Sequence, residues 1–344
     1  MNKRATIEDV ARIAGVSIAT VSRVIHTPKK VSDSTRTSVH DAITKTGYTL
    51  NQAARNLRQQ RANAIIVLVP DIGNTFFSEI LSGIERAASA AGQTILIGHT
   101  ANDPVREEQY LNALINGQAD GALLLNGHLP EATTQRIKAA PSRALPIVSL
   151  SEALEDQIVP HVGIDNVEAA ACVTKYLLSK GHRDILHLKG PPDNILTRQR
   201  TEGFMRAMSE AGLDRQPEDF LEGDFTIESG LHAAQDLVAR RNLPDAIFCA
   251  NDESAIGLMS GLAERGIRVP VDISVAGFDD IAFSRTATPP LTTIRQPRAK
   301  IGEQAMNLLL ELLSSRDMTQ NDMLTLPFEL IERASVKPSV ADAT

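Results

Sequence analysis

Hydroxyl and guanidinium side chains near the amino terminus have the chemistry and spacing to contact nucleic acid. Ser17, Thr20, Ser22 and Arg23 fall within a stretch of seven residues. The Arg23 guanidinium can donate two hydrogen bonds to O6 and N7 of guanine, or it can equally well bind a phosphate. The hydroxyls of Thr20 and Ser22 suit phosphate oxygens, which set the position of a protein on DNA rather than its sequence preference.

The distribution of charge matches this chemistry. Residues 1–61 hold eleven Lys or Arg against four acidic residues, a net +7, whereas the whole chain is −7, which leaves −14 on the remainder. A basic segment joined to an acidic body is typical of a protein that binds phosphates at one end. A solvated basic face is the alternative explanation for any single Lys or Arg.

A second group of side chains has the chemistry to bind a small molecule. Phe76 and Phe77 are adjacent in a chain with only nine Phe, three Tyr and no Trp. Their rings could stack on a planar base, although we expect at least one of them to anchor the core. Polar side chains follow predicted strands at Asp165, Arg200, Asn251 and Asp279. Such groups suit vicinal hydroxyls, while helix capping is the alternative role for Asp165 and Asn251.

Short helices position the amino-terminal group. Thr6 is a predicted N-cap, and Gly15 is predicted to end its helix in the left-handed conformation. Ser17 is the next predicted N-cap, and Val21, Val24 and Ile25 form the buried stripe of the second helix. Two helices joined in this way form a helix-turn-helix, whose second helix enters the DNA major groove.

From residue 64 the pattern changes to apolar strands that alternate with amphipathic helices. Residues 65–70 are the first such strand, and residues 77–91 and 109–116 are two of the helices. Continuous apolar strands separated by helices predict a parallel sheet covered on both faces. Because the pattern occurs twice, we predict an α/β fold of two doubly wound parallel-sheet subdomains behind an all-α head. Ligands bind such sheets beyond the carboxyl ends of the strands, so two facing halves make a hinged cleft.

Four motifs together resemble the LacI/GalR family of bacterial transcription regulators. They are residues 15–24 (GVSIATVSRV), 181–182 (GH), 277–280 (GFDD) and 289–294 (PPLTTI). The resemblance extends from residue 6 to about residue 333 and implies a periplasmic-binding-protein-like body with an amino-terminal hinge helix. Within the family, the chain is most similar to the cytidine repressor branch, through residues 70–72, 76–80, 120–125 and 223–226.

The resemblance implies which residues contact DNA. Ile18 and Ala19 occupy base-reading positions, where their side chains would pack against thymine methyl groups. Leu57 would be a wedge in the minor groove, inserted into a base step by two paired hinge helices, with a core leucine as the alternative. The full set is Thr6, Ser17, Ile18, Ala19, Thr20, Ser22, Arg23, Asn51, Ala54, Arg55, Leu57 and Arg58.

The resemblance also implies that one set of side chains faces the cleft and binds the effector. This set is Phe76, Phe77, Asp165, Arg200, Asn251 and Asp279, with Gln296 as a weaker candidate. Aromatic rings combined with acidic and amide groups fit a nucleoside such as cytidine. The same acids without the aromatic ring would fit a sugar.

Four segments are expected along the chain. Residues 1–50 form the head and residues 51–62 the hinge helix and linker. Residues 63–161 with about 293–323 form the first effector subdomain. Residues 162–292 with about 324–340 form the second.

Composition narrows the cellular setting. Cys172 and Cys249 are far apart in apolar runs, which indicates free thiols rather than a disulfide. We see no secretory signal, no membrane span of about 20 apolar residues and no metal-ligand spacing. The sequence therefore predicts a cytoplasmic protein with no cofactor, no metal and no membrane partner.

The predicted function is a ligand-responsive transcriptional repressor that binds a palindromic DNA operator as a homodimer. Its effector would be a small metabolite, most simply a nucleoside. A sugar-responsive regulator of the same family is the first alternative, and a nucleoside-binding or nucleoside-processing protein without operator specificity is the second. The chain shows no GxGxxG after a strand, no P-loop and no nucleophile–base pair, so we do not expect an enzyme.

Overall fold

The computed structural model describes residues 5–48, 61–139, 145–214, 216–240, 242–314 and 322–338. The chain divides into two units, Met1–Ala62 and Asn63–Thr344. The predicted hinge helix, residues 51–58, lies outside the described residues. Within the described ranges, each helix is too short or too polar to cross a bilayer.

Within residues 5–48, the amino-terminal unit is built from three α-helices. They are α1 (Ile7–Ala14), α2 (Ile18–His26) and α3 (Asp33–Thr46). Gly15 ends α1 at φ +68°, in the left-handed region that was predicted. The core between the helices consists of Val10, Ala11, Val21, Val24, Val39 and Ala42. The predicted stripe of α2 is confirmed at Val21 and Val24, while Ile25 packs against this core partly buried.

The start of α3 has no side-chain cap. Ser32 occupies the N-cap position, but its hydroxyl makes no hydrogen bond to the backbone of α3. The Ser32 Oγ instead lies 2.9 Å from the Thr35 hydroxyl and 3.4 Å from the Ser34 hydroxyl. Gly47 ends α3 in the left-handed conformation, at φ +63°.

The first lobe of the larger unit is a six-stranded sheet with helices on its faces. Its strands are β1 (Ala64–Val69), β2 (Thr94–His99), β3 (Gly121–Leu124), β4 (Ile147–Leu150), β5 (His161–Gly163) and β11 (Met323–Thr325), in the order β11-β5-β4-β3-β1-β2. All pairings are parallel. Its helices are α4 (Phe76–Ala90), α5 (Pro104–Ile115), α6 (Glu131–Ala139) and α11 (Arg298–Ser314).

The second lobe repeats this design with a four-stranded parallel sheet. Its strands are β6 (Ile185–Leu188), β7 (Phe220–Leu221), β8 (Ala246–Cys249) and β9 (Ser274–Ala276), in the order β7-β6-β8-β9. Its helices are α7 (Asn166–Ser179), α8 (Ile195–Glu210), α9 (Ile227–Val238) and α10 (Asp252–Glu264). The predicted doubly wound α/β class is confirmed.

Three segments of the chain cross between the lobes. The second and third pair with each other as β10 (Thr293–Arg295) and β12 (Glu329–Ile331), which are antiparallel. The first follows β5, which pairs with β4 in the first sheet. The predicted start of the second subdomain at residue 162 is therefore too early, because this strand lies in the first lobe.

Element ends shift from their predicted positions by small amounts. The first strand and its helix each begin and end one residue early. The helix predicted at residues 109–116 begins five residues earlier, since Asp103 caps its first turn by accepting from the Val105 amide. Both cysteines are free, with Cys249 buried and Cys172 partly exposed.

Candidate DNA-binding face and effector cavity

The amino-terminal half of α2 presents several side chains to solvent. Ser17 caps the helix by accepting a hydrogen bond of 3.1 Å from the Thr20 amide. Ile18 is 47% exposed, a large fraction for an isoleucine in a folded unit. Ala19 and Arg23 are also exposed. Because α2 buries Val21 and Val24 on its other side, its amino-terminal face is free to contact another molecule.

Thr6 closes a capping box at the start of α1. Its hydroxyl accepts from the Asp9 amide, and its own amide donates to the Asp9 carboxylate at 3.0 Å. That bond, together with the Arg12 guanidinium, lowers the pKa of Asp9 to about 2. Thr6 is exposed, so a DNA contact and the cap are compatible. The predicted DNA contacts Asn51, Ala54, Arg55, Leu57 and Arg58 lie outside the described residues.

A cavity of about 50 Å³ lies between the lobes and is called here the inner cavity. The residues around it follow strands of both sheets, as expected for parallel sheets that meet at their carboxyl ends. They are Asn74, Phe76, Phe77, Glu152, Leu196, Arg200, Phe225, Asn251 and Asp279. Pockets for drug-sized ligands measure about 300–1,000 Å³, so a nucleoside would enter only if the lobes or side chains moved apart.

Both phenylalanines serve the core and the cavity at once. Phe76 and Phe77 are each 8% exposed, and their rings meet edge to face with centroids 5.2 Å apart. The Phe76 amide donates to Asn74 Oδ1 at 2.8 Å, which fixes the chain at the start of α4. Both residues line the inner cavity, and both belong to the hydrophobic core. The core role that was expected for at least one of them therefore holds for both.

Arg200 is the central cation of the inner cavity. Its side chain is 2% exposed and donates to Asn166 Oδ1 at 3.1 Å and to the Ala250 carbonyl at 2.5 Å. Its guanidinium lies 3.8 Å from the Phe278 ring centroid, a cation–π contact. Nη2 lies 3.6 Å from Asp279 Oδ1. Burial lowers the pKa of Arg200, an effect that the nearby Asp279 opposes.

Asp279 faces the same cavity with a strained backbone at φ +113°. Its carboxylate accepts from Gln296 Nε2 at 2.7 Å, so the weaker candidate Gln296 contacts the predicted site through Asp279. Burial raises the pKa of Asp279 to about 6, against the lowering effects of Arg200 and Arg298. Burial, reinforced by Asp279, likewise raises the pKa of Asp252 to about 7.

Asn251 and Asp165 follow strands as predicted, but their roles differ. Asn251 Oδ1 accepts from the Ser254 amide at 3.1 Å to cap α10, and Nδ2 donates to the Phe225 carbonyl at 2.8 Å. It also lines the inner cavity, so capping and lining coexist. Asp165 is exposed and caps α7 by accepting from the Glu168 amide at 2.9 Å. It lies outside the cavity lining.

Several residues of the cavity were not singled out from the sequence. Glu152 accepts from the Gly127 amide and from Asn194 Nδ2, both at 3.0 Å, and so joins the two lobes. Burial raises its pKa. Phe225 brings a third aromatic ring, 5.9 Å from the Arg200 guanidinium. The sequence does contain a signal for Glu152, because this residue follows a strand just as Asn251 does and polar residues at that point can face a ligand.

Comparison with protein-family models gives two matches. Residues 6–51 match the model described as bacterial regulatory proteins, lacI family. Residues 174–336 match the model described as a periplasmic binding protein-like domain.

Curated proteins and solved structures match over nearly the whole chain. The HTH-type transcriptional repressor CytR of Escherichia coli (strain K12) is 38% identical over 97% of this chain and 96% of its own. The repressor PurR of Vibrio atlanticus (strain LGP32) is 34% identical over 97% and 99%. The lac repressor dimer bound to operator and the anti-inducer ONPF superposes with a TM-score of 0.85 at 27% identity, covering 97% and 99%. The CelR–cellobiose complex gives 0.72 at 30% identity, covering 96% and 100%.

Proposed function

Because the chain belongs to the lacI family of bacterial regulatory proteins, we propose that it is a transcriptional repressor whose affinity for a palindromic operator is controlled by a nucleoside. It acts in the cytoplasm by binding rather than by turnover. Residues 1–50 contact the operator, residues 51–62 form the hinge, and the two lobes hold the effector.

One observation carries the nucleoside proposal. The inner cavity brings aromatic rings at Phe76, Phe77 and Phe225 together with Arg200 and Asp279. Rings stack on a planar base, while a carboxylate and a guanidinium hydrogen-bond to its edge or to ribose hydroxyls. The similarity to a repressor named CytR points the same way. Asp165 drops to a supporting role in this proposal, since it caps α7.

Exposed apolar side chains support the dimer. On β2, the edge strand of the first sheet, Leu96 is 42% and Ile97 is 54% exposed, and in the second lobe Phe283 is 56% exposed. An exposed edge strand with apolar side chains is a natural surface for association. A symmetric pair would place two α2 helices on the two half-sites of a palindrome.

The DNA contacts proposed from the sequence divide by chemistry. Ile18 and Ala19 pack on thymine methyl groups and Arg23 binds guanine, so these three read bases. Thr20 and Ser22 bind phosphates. Leu57 inserts into a base step, and Leu57→Ala is expected to weaken operator binding while leaving the stability of the lobes unchanged.

A sugar effector is the second candidate. The solved structure of CelR is a complex with cellobiose, and the match covers 96% of the present chain. Asp279 and Asn251 suit sugar hydroxyls as well as ribose hydroxyls.

Calorimetric titration of the full-length protein with cytidine, adenosine, uridine and ribose tests the effector directly. Saturable heat from a nucleoside, lost in Asp279→Asn, supports the proposal. Heat from ribose or cellobiose with none from any nucleoside favours the sugar-responsive alternative.

A further inference from the structure

A second and larger cavity, called here the outer chamber, opens beside the inner cavity. Its volume is about 430 Å³, within the range of about 300–1,000 Å³ that holds small-molecule ligands. The first lobe contributes His128, Leu129, Leu154 and Asp156 to its wall, and the second lobe contributes Asp193 and Arg198.

A hydrogen-bonded partition separates the two cavities. Glu152 lines the inner cavity, and its Oε2 accepts from the amide of Gly127, which lines the outer chamber. Asn194 of the second lobe donates to the same oxygen at 3.0 Å. The outer chamber is therefore a separate compartment, and neither Phe76 nor Asp279 reaches it.

His128 supplies a fixed donor to the outer chamber. Its Nδ1 lies 2.6 Å from the Glu107 carboxylate, whose side chain is 1% exposed, while the imidazole itself is 50% exposed. Hydrogen bonding to Glu107 raises the pKa of His128, so its ring favours the protonated form more than an ordinary histidine does. Since Nδ1 is held by Glu107, Nε2–H points to the opposite side of the ring as an available donor.

The remaining charges are mostly neutralised in pairs. Arg198 of the second lobe binds Glu155 of the first, and Lys138 lies 2.5 Å from Asp156. His128 is balanced by the buried Glu107. Within the described part of the chain Asp193 has no ion-pair partner, so the chamber retains one uncompensated acceptor that would repel a phosphate.

We propose that the outer chamber is a second effector site for a neutral metabolite with vicinal hydroxyls, of the size of a monosaccharide or nucleoside. Asp193 accepts from the hydroxyls of the ligand and His128 donates to one of its oxygens. Leu129, Leu154 and Ile158 pack against the carbon skeleton. Because the wall comes from both lobes, the bound ligand stabilises this arrangement of the lobes and shifts its population.

Histidine resonances of the full-length protein test this proposal at the site itself. The protein is labelled with ¹³C at histidine Cε1, and His128→Gln identifies the His128 signal. D-ribose, D-glucose and cytidine are titrated separately, followed by ribose 5-phosphate. We expect at least one neutral compound to shift the His128 signal saturably, and ribose 5-phosphate to bind at least tenfold more weakly than ribose.

Two variants separate this site from the inner cavity. Asp279→Asn alters only the inner cavity, so the ligand-induced shift of the His128 signal persists in this variant. It persists even if the nucleoside proposal for the inner cavity fails. Asp193→Asn weakens the binding reported by His128 at least fivefold, whereas Asp236→Asn, an exposed change on α9, leaves it unchanged. Absence of a shift with all three neutral compounds, loss of the shift in Asp279→Asn, or tighter binding of ribose 5-phosphate would overturn the proposal.

Discussion

In the proposed complex with DNA, Arg23 has a different part from Ile18 and Ala19 at the start of α2. Ile18 and Ala19 are exposed but offer no side-chain hydrogen bond, so the proposal lets them distinguish bases only through apolar contact. Arg23 is the long donor on the same exposed helix. Most polar discrimination by α2 is therefore expected to come from this one guanidinium.

Replacing Arg23 tests that division. Arg23→Gln should weaken binding to the preferred operator about 5- to 150-fold, because a bidentate guanine contact contributes about 1–3 kcal/mol. The loss should shrink when the contacted G·C pair is replaced, as measured by fluorescence anisotropy on operator variants. Arg12→Gln, a matched change on α1, should weaken all sequences alike. An equal loss on every sequence for Arg23→Gln would show a phosphate contact instead.

Asp279 should make effector binding depend on pH. Its pKa is raised to about 6, so its carboxylate is ionised above that pH and protonated below it. If the carboxylate accepts hydroxyl bonds, cytidine affinity measured by calorimetry should fall about tenfold per pH unit below 6. Asp279→Asn should give no saturable cytidine heat at any pH tested, so the pH-dependent binding disappears with the carboxylate. Asp165→Asn is the matched control, because asparagine caps α7 equally well, and it should behave like the unchanged protein.

At the scale of elements, α4 and α11 approach so closely that glycine is required between them. A Cβ at Gly83 would overlap the Ala299 carbonyl, and one at Gly302 would overlap the Ile80 carbonyl. This contact fixes α4, whose first residues Phe76 and Phe77 line the inner cavity. Packing far from the ligand therefore sets the position of the aromatic pair.

Gly83→Ala distinguishes packing from helix propensity. Propensity alone favours alanine by about 1 kcal/mol. The overlap predicts the opposite sign, a loss of about 1–3 kcal/mol of unfolding free energy measured by urea denaturation. Ser89→Ala, at an exposed position of the same helix, should be neutral or slightly stabilising. A more stable Gly83→Ala variant would contradict the observed helix contact.

The second sheet contains a histidine that acts as an aromatic core residue. His187 on β6 packs against Phe248 and Phe204, with ring centroids 4.7 and 5.1 Å away, and burial lowers its pKa to about 4. The unfolded chain gains a proton at His187 near pH 6.5, while the folded chain does so only near pH 4. Folding stability due to this group is thus complete above pH 6.5 and is lost as pH falls toward 4.

His187→Phe should remove that loss. Relative to the unchanged protein, the variant should gain up to about 3 kcal/mol of unfolding free energy between pH 7 and pH 4, as followed by urea denaturation at each pH. The difference between the two proteins is the measured quantity, because raised carboxyl pKa values such as that of Glu253 act in the opposite direction. His232→Phe, an exposed change on α9, should show no such gain.

Local signals in the sequence were enough to predict most elements, and contacts distant in sequence explain the exceptions. Helix caps such as Thr6, Gly15 and Ser17 depend only on neighbouring residues, so the local sequence predicts them. Asp165 was placed in the cleft because a residue after a strand can either cap a helix or face a ligand. The role of Glu152 cannot be predicted from neighbouring residues, because its partners Gly127 and Asn194 lie 25 and 42 residues away.

At the scale of the whole molecule, the proposed effector would act on the hydrogen bonds and ion pairs that join the two lobes. Asn194 donates to Glu152, Asn74 Nδ2 donates to Glu253 at 3.4 Å, and Arg198 pairs with Glu155. A ligand acts on such contacts only through its different affinity for the two arrangements of the lobes. Coupling energies of about 1–3 kcal/mol correspond to roughly 5- to 150-fold changes in affinity for DNA.

Operator affinity with and without cytidine is the most direct test of this account. Anisotropy titrations of the full-length protein should show at least a fivefold change in operator affinity at saturating cytidine, and less than a twofold change in Asp279→Asn. The account would be contradicted if cytidine bound the protein, as shown by calorimetry, and left its affinity for the operator unaltered.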